Sequence, residues 1–545
     1  MMQTPPVVQV PEDRAPRLTL RSPQVQRILL PFVLSLLAGL LVHATMYTNG
    51  LVNPDGLWHG EYSLSGQWEA SLGRWGLYFI DLLHGGVNAS TLSAFITVAF
   101  IALAGTLLAS IFRVKSLAIA ILIPTILTCS PMVSMFITYP YCGDAYALSI
   151  LLAVAAVYAV DRIPGTIKRI AVGALLIAFL ISLYQSSLGV VLAVAAGYIL
   201  LRLLRGDEPP KAIGKDVLHL AAAVLIGMIL YYALTQLMLL LWGITAADFK
   251  GASSVSIGSI LQNIPSGIQR AYIFFRMFFV EGGLARNAYH TSIVYYVLAG
   301  IAAISLVVRL VTVGKQSPYP VVFSVVLIIL LPLCCNIINL IVPGTDLYLL
   351  MVGGMMIIPP LLLAISEGNG GAEGTKKRIA GWLQKVRSWG SMAAAAVLIW
   401  VYVLSCQADA SVMLASKNQT TALASRIWQQ VESNENYTLN ETQVLIVGHL
   451  QEGNYPNPSY LWDKANTYAQ WGLLWTSYDG NMQTWQQFFR QYLGVTYETC
   501  TAEQFAAISA SPAFAEMPLY PEEGSLQTID GVLVVKVSDT SQWAE

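Results

Sequence analysis

The sequence predicts an all-α polytopic membrane bundle of about eleven transmembrane helices, followed by an extracytoplasmic α/β domain. Three observations predict it. Of the 545 residues, 55% are hydrophobic and only 11% charged, whereas soluble chains average about 25% charged residues. Apolar runs long enough to cross a bilayer, about 20 residues each, recur between residues 28 and 407. Past residue 407 the composition turns polar, and short strand-like runs replace the long ones.

Residues 1–27 are Pro-rich and polar, with Arg14, Arg17, Arg21 and Arg27, and read as a cytoplasmic amino-terminal tail. The run that follows is longer than the apolar core of a signal peptide and lacks an A-x-A cleavage site, so it reads as the first span. Candidate spans are 28–46, 92–112, 116–132, 144–160, 168–185, 187–204, 217–242, 292–310, 320–342, 347–365 and 391–407. Basic residues (Arg113 and Lys115; Arg162, Lys168 and Arg169; Arg202, Arg205, Lys211 and Lys215; Arg309 and Lys315; Lys376, Lys377, Arg378, Lys385 and Arg387) fall in alternate loops. With the amino terminus inside, every cluster is cytoplasmic, as the positive-inside rule requires. Loops 47–91, 133–143, 243–291 and 343–346 are then outside, as is 408–545. The organisation is therefore a tail (1–27), a bundle (28–407) with two long outer loops, and an outer domain (408–545).

In that outer domain, 411–432 has helical periodicity and QVLIVG (443–448) and GVLVVKV (531–537) are buried-strand runs. Segments 463–475, 482–493 and 502–510 read as helices, the last opened by a Thr501/Gln504 capping box. Trp428, Trp462, Trp471, Trp475, Tyr478 and Trp485 serve either core packing or a stacking surface for sugar rings.

A net charge of −1 gives no reason to expect nucleic acid as a partner. The six cysteines show neither CxxC nor Cys/His spacing, so neither a zinc site nor a disulfide framework is implied. Cys334 and Cys335 read as small core residues, and whether Cys406 and Cys500 approach each other is not legible in sequence. EGNGGAEGTKK (366–376) lacks the GxxxxGK[ST] pattern and a preceding strand, so it reads as an inner linker.

The spans carry almost no charge at mid-depth, where an ion-coupled transporter places its ionisable groups. Ionisable residues gather at the outer boundary instead, which points to a site at the membrane–water interface. The richest stretch is 53–86: a turn, Asn53-Pro54-Asp55-Gly56, then an aromatic-rich amphipathic segment with Trp58, Tyr62, Trp68, Trp75 and Tyr78. Asp55 is either a general base for a hydroxyl or an Asx-turn residue. Glu61 is either a ligand to a metal or hydroxyl, or part of a solvated helix face. Arg74 either pairs with a lipid phosphate or snorkels. His59 and His84 read as interfacial bystanders. In the second long loop, Arg270 and Arg276 flank AYIFF and either face a leaving phosphate or anchor the helix end. Tyr184 and Gln185 either bind sugar hydroxyls or satisfy their own turn, and Trp58 joins them as a sugar-stacking candidate.

N-P-D-G (53–56), S-L-G-R-W (71–75), T-Y-P (138–140) and L-Y-Q-S-S (183–187), with M-P-x-Y-P (517–521) and I-D-G-x-x-V-V-K (529–536) in the tail, resemble the membrane glucosyl transferase family of type II (Gtr type), within the GT-C class of lipid-dependent glycosyltransferases. The resemblance implies an inverting hexosyltransferase of the bacterial cytoplasmic membrane. It would move a hexose, glucose by family, from a polyprenyl phosphate to a surface glycan such as O-antigen. It implies Asp55 as base with Glu61 in support, and Arg74 on the donor phosphate. Where the family pattern carries two adjacent acidic residues, this chain has Pro54-Asp55, and Glu61 is the candidate for the second carboxylate. No cofactor is required, and a divalent metal is compatible without being needed, because arginine supplies the charge.

Two rivals differ in kind. A lipid-linked oligosaccharide flippase or exporter needs a polar path through the bundle, which the charge map lacks. An O-antigen polymerase or ligase depends on a late outer loop rich in Arg and His, whereas here the first loop is the more distinctive.

Overall fold

The computed structural model describes residues 23–247, 257–281, 289–342, 346, 348–367, 375–450, 453–470 and 478–539. Among these, nine helices are long and apolar enough to cross a membrane: Val25–Val42, Ser90–Ile111, Gly143–Arg162, Thr166–Leu183, Gln185–Arg205, Pro210–Trp242, Thr291–Gly314, Leu349–Ser366 and Gln384–Glu432. The pair Leu117–Thr128 and Pro131–Ile137 makes a tenth span if its 46° bend is counted as one broken helix. Tyr319–Cys335 is apolar but only 17 residues long.

The expected total of about eleven is thus nine or ten by length and composition, and two breaks account for the difference. In the expected span 116–132, Pro131 lacks an N–H and holds Ser130 extended (ψ 150°), so the helix stops and restarts. Residues 133–137, expected in a loop, belong to the restarted helix. In the expected span 320–342, the helix ends at Cys335, three residues past Pro332. Asn336 Nδ2 there donates to the Ala271 carbonyl of a neighbouring helix. That neighbour, Ile257–Arg276, lies in the region expected to be the loop 243–291. It packs against Tyr319–Cys335 and the short helix Ile338–Ile341.

The last helix, Thr375–Glu432, is 58 residues long. At ~1.5 Å per residue it spans about 87 Å, almost three times a ~30 Å hydrocarbon core. The expected boundary at 407–408 therefore falls inside one helix. The physical reason is local: residues 391–432 contain no Gly or Pro, so nothing interrupts the hydrogen-bond ladder. On this helix Asp409 is fully buried and accepts from the Asn466 N–H (2.7 Å), Asn466 Nδ2 (2.6 Å) and the Tyr468 hydroxyl (2.8 Å). The tail is tied to the bundle at that point.

The tail holds a three-stranded sheet in the order β1 (Val444–Val447), β3 (Val532–Lys536), β2 (Leu526–Ile529). β1 runs parallel to β3, with Leu445 opposite Val534, and β2 is antiparallel to β3. β1 and β3 are wholly buried, which is why they read as unbroken apolar runs rather than alternating ones. Helices Tyr478–Phe488 and Ala502–Ser509 accompany the sheet. The Thr501/Gln504 capping box forms in both directions (2.9 and 3.3 Å). Trp428 and Trp485 are buried with Phe488 and Phe489 in the core, which assigns them to packing rather than to a sugar-stacking face. Trp471 and Trp475 lie outside the described residues. All six cysteines are free, Cys406 and Cys500 included.

Candidate active site

Asn53 caps the helix Pro54–His59: its side chain accepts the Gly56 N–H (2.8 Å), and Pro54, which has no N–H to satisfy, occupies the first turn. The Asn53 N–H reaches the Thr138 carbonyl (3.1 Å), and a Cβ on Gly56 would stand 2.6 Å from that same oxygen. The N-P-D-G turn is therefore pressed against the T-Y-P segment. Asp55 sits in the first turn of its helix, where the dipole favours a carboxylate.

That placement brings Asp55 near Tyr139, whose hydroxyl stabilises its carboxylate, and into the field of Arg74. Burial raises the Asp55 pKa above the ordinary carboxylate value, and Tyr139 and Arg74 oppose the rise without cancelling it. Arg74 Nε donates to Gln185 Oε1 (3.3 Å), one terminal nitrogen donates to the Tyr146 hydroxyl (3.4 Å), and the guanidinium lies over the Tyr184 ring (5.6 Å). Tyr184 stacks on Tyr146 at 4.3 Å. Gln185 Nε2 in turn donates to the Leu72 carbonyl (2.7 Å), which fixes the amide and the arginine together. Four stretches far apart in sequence (53–56, 71–75, 138–146 and 183–187) thus converge on one polar cluster.

The other sequence candidates fall elsewhere. Glu61 is exposed, and its charge acts on Tyr492 rather than on Asp55 or Arg74. Trp58 is partly buried, and its carbonyl accepts from Gln483 Nε2 of the tail (3.2 Å). Arg270 lies 4.0 Å from Asp346, and Arg276 pairs with Glu281 (2.9 Å). Neither is brought to the Arg74 cluster. The aromatic segment expected as one interfacial helix is three short ones: Pro54–His59, Gln67–Ser71 and Gly76–His84.

Sequence reasoning passed over Tyr139 and Tyr146. Tyr139 stands in the T-Y-P motif, but no local pattern relates it or Tyr146 to the 53–56 turn. The two histidines expected as bystanders have structural partners. His59 packs on Tyr141 at 3.6 Å between ring centroids, and burial lowers its pKa to about 4, so it is neutral. His84 Nε2 lies 2.9 Å from the carboxylate of Asp144, which is 1% exposed, and that partner raises the histidine's pKa. Among the described residues no three His, Cys, Asp or Glu side chains are grouped to hold a metal ion.

The tail covers this region. Its helix Tyr478–Phe488 packs on Pro54–His59, and the Tyr492 hydroxyl donates to the Gly50 carbonyl (3.2 Å). Comparison with curated proteins and with solved structures finds no match. A family model does match: glucosyl transferase GtrII, over residues 59–358. The matched span holds Arg74, Tyr139, Tyr146, Tyr184 and Gln185 and begins just after Asp55. It covers more than half of the chain, and with it the three cluster stretches expected from the resemblance apart from N-P-D-G, so this chain belongs to the GtrII glucosyl transferase family.

Proposed function

We propose that this glucosyltransferase moves a hexose from a polyprenyl-phosphate donor to a glycan hydroxyl at the extracytoplasmic face of the membrane, with Asp55 as general base. The observation that supports this reading is the convergence of one raised-pKa carboxylate and one guanidinium across a patch of tyrosines and an amide. Asp55 takes the acceptor proton as the hydroxyl oxygen attacks the anomeric carbon, and the bond from that carbon to the phosphate oxygen breaks with inversion. The polyprenyl phosphate leaves with the bonding electron pair. Arg74 stabilises the charge growing on it. Among the described residues the Nε and Nη1 of Arg74 are held by Gln185 and Tyr146, which leaves Nη2 for a phosphate oxygen. Tyr184 and Gln185 line the approach for the sugar.

The extracytoplasmic placement is supported by the alternation of basic loops. This arrangement gives no role to Glu61, Arg270 or Arg276, and arginine supplies the charge that a metal would otherwise carry. The decisive measurement is transfer of radiolabelled sugar in membranes that contain the Asp55→Asn protein at wild-type abundance. Loss of a general base lowers the rate by about 10²–10⁴-fold, and near wild-type transfer would remove Asp55 from the mechanism.

A further inference from the structure

A second site lies at the opposite end of the bundle from Asp55. Helix Leu188–Arg205 starts three residues after Gln185 and ends about 27 Å away by its rise. At that far end its last residue, Arg205, meets Arg309 near the end of Thr291–Gly314 and Arg387 near the start of Thr375–Glu432. The three guanidinium groups line one cavity of about 210 Å³. A single water needs only ~10–15 Å³ of such space.

Among the described residues the charges of Asp207 and Glu208 reach Arg205 and that of Glu367 reaches Arg309, yet no carboxylate there forms an ion pair with any of the three guanidinium groups. The acidic side chain in the wall is Glu367, and its carboxylate is already taken: it accepts from the Lys115 N–H (2.9 and 3.0 Å) and from the Ser116 N–H (2.5 Å) at the start of another helix. Arg309 spends a nitrogen on the Glu367 carbonyl rather than on its carboxylate. Arg205 places one nitrogen on the Phe112 carbonyl (3.3 Å), while its Nε and other terminal nitrogen are buried without a partner among the described residues. Arg387 Nε is buried and unpartnered as well. A guanidinium keeps its charge and its donors at any working pH, so buried donors of this kind call for acceptor oxygens. Three guanidinium groups around one cavity fit a phosphate.

We propose that this cavity is a phosphate-binding site, separate from the glycosyl-transfer site and at the other membrane face. The side of the cavity favours a lipid as the source of the phosphate. Val308 lines it and is 47% exposed, on the same helix face as Ile304 and Val311, which are 57% and 56% exposed. A headgroup held by the arginines would leave its acyl chains along that apolar stripe. An anionic glycerophospholipid seated there would pin together the ends of the helices carrying Arg205, Arg309 and Arg387.

The test uses the full-length protein in a neutral-headgroup detergent, with thermal unfolding followed against phosphatidylglycerol in mixed micelles, phosphatidylcholine as the neutral comparison, and inorganic phosphate at constant ionic strength. A saturable rise with phosphatidylglycerol alone supports a lipid headgroup, and a rise with inorganic phosphate as well supports a site for soluble phosphate. Arg309→Gln and Arg205→Gln should each weaken half-saturation by about tenfold or more. Arg387→Gln, at the less packed start of its helix, repeats the test should those two fail to fold. Native mass spectrometry of the wild-type protein requires no variant and should show one retained anionic lipid or phosphate. The proposal is overturned if neither probe stabilises the protein and no such adduct is retained, or if the folded variants respond as the wild type does.

Discussion

The Tyr139 hydroxyl faces the carboxylate of Asp55, so a residue from the turn before the Gly143–Arg162 helix acts on the proposed base. Burial raises the Asp55 pKa, and the tyrosine hydroxyl, by stabilising the carboxylate, lowers it. Asp55 must be ionised to accept a proton, so kcat/KM for transfer should fall as pH drops through that raised pKa. Tyr139→Phe removes a lowering influence, so the acidic limb should move to higher pH while the plateau above it changes less. A pH–rate profile in membranes checks this, and an unmoved limb would separate Tyr139 from the base.

Arg74 makes three contacts that depend on the shape of a guanidinium: Gln185, Tyr146 and the Tyr184 face. Lysine keeps the charge and loses the planar fork and the stacking. Arg74→Lys should therefore raise the donor KM by about 10-fold or more, the worth of a charged hydrogen bond, and leave the acceptor KM near its wild-type value. Equal donor KM values would place the phosphate elsewhere. Gln185→Leu should act in the same direction more weakly, because it frees Arg74 without removing it.

The residues of this cluster were largely legible because their chemistry is local. Asn53-Pro54-Asp55-Gly56 announces a capped turn, and a carboxylate after the first span has few places to go. Tyr184 and Gln185 are polar groups in an apolar run, and Arg74 is an arginine within the aromatic first outer loop. What sequence could not supply was pairing across distance. Nothing local relates His84 to Asp144 or Asp55 to Tyr139, and nothing local shows that Glu61, expected in support of Asp55, follows a positive-φ Gly60 and is exposed. The length of the final helix was hidden for a different reason. Composition changes at residue 407 while backbone propensity does not, so the helix runs on through the polarity boundary.

The His84–Asp144 pair makes stability depend on pH in a definite direction. The folded-state pKa of His84 lies above its ordinary value of 6.5, so its contribution is complete below 6.5 and is lost as pH rises through the raised value. Asp81, nearby, is raised by burial to about 6 from 3.8; its contribution is complete below 3.8 and fades by about pH 6. Above pH 6.5 Asp81 no longer contributes and the histidine adds its own downward slope. Unfolding temperature in detergent should therefore decline as pH rises from 6.5, and His84→Gln should flatten that decline while leaving the slope between pH 4 and 6 in place. A wild-type slope in the variant would show that the pair is not formed.

Gly56 tests whether the turn must press against residues 138–140 for Asp55 to work. A methyl group there would meet the Thr138 carbonyl at 2.6 Å and Pro140 at 3.0 Å, and the carbonyl is backbone, so it cannot step aside as a side chain would. Gly56→Ala should cost about 1–3 kcal/mol of stability, as overpacking does, and should push Pro54–His59 away from Tyr139, so that transfer falls more than stability alone explains. Gly214 supplies the contrast, since it lies in the helix Pro210–Trp242 with nothing within 4 Å of an added Cβ. Gly214→Ala should stabilise by about 0.5–1 kcal/mol through helix propensity and leave transfer unchanged. Thermal unfolding and sugar transfer measured on both proteins separate the outcomes. Full activity in the Gly56→Ala protein would mean that Asp55 works without its contact to Tyr139, and the general base would then have to be sought among the other groups of the cluster.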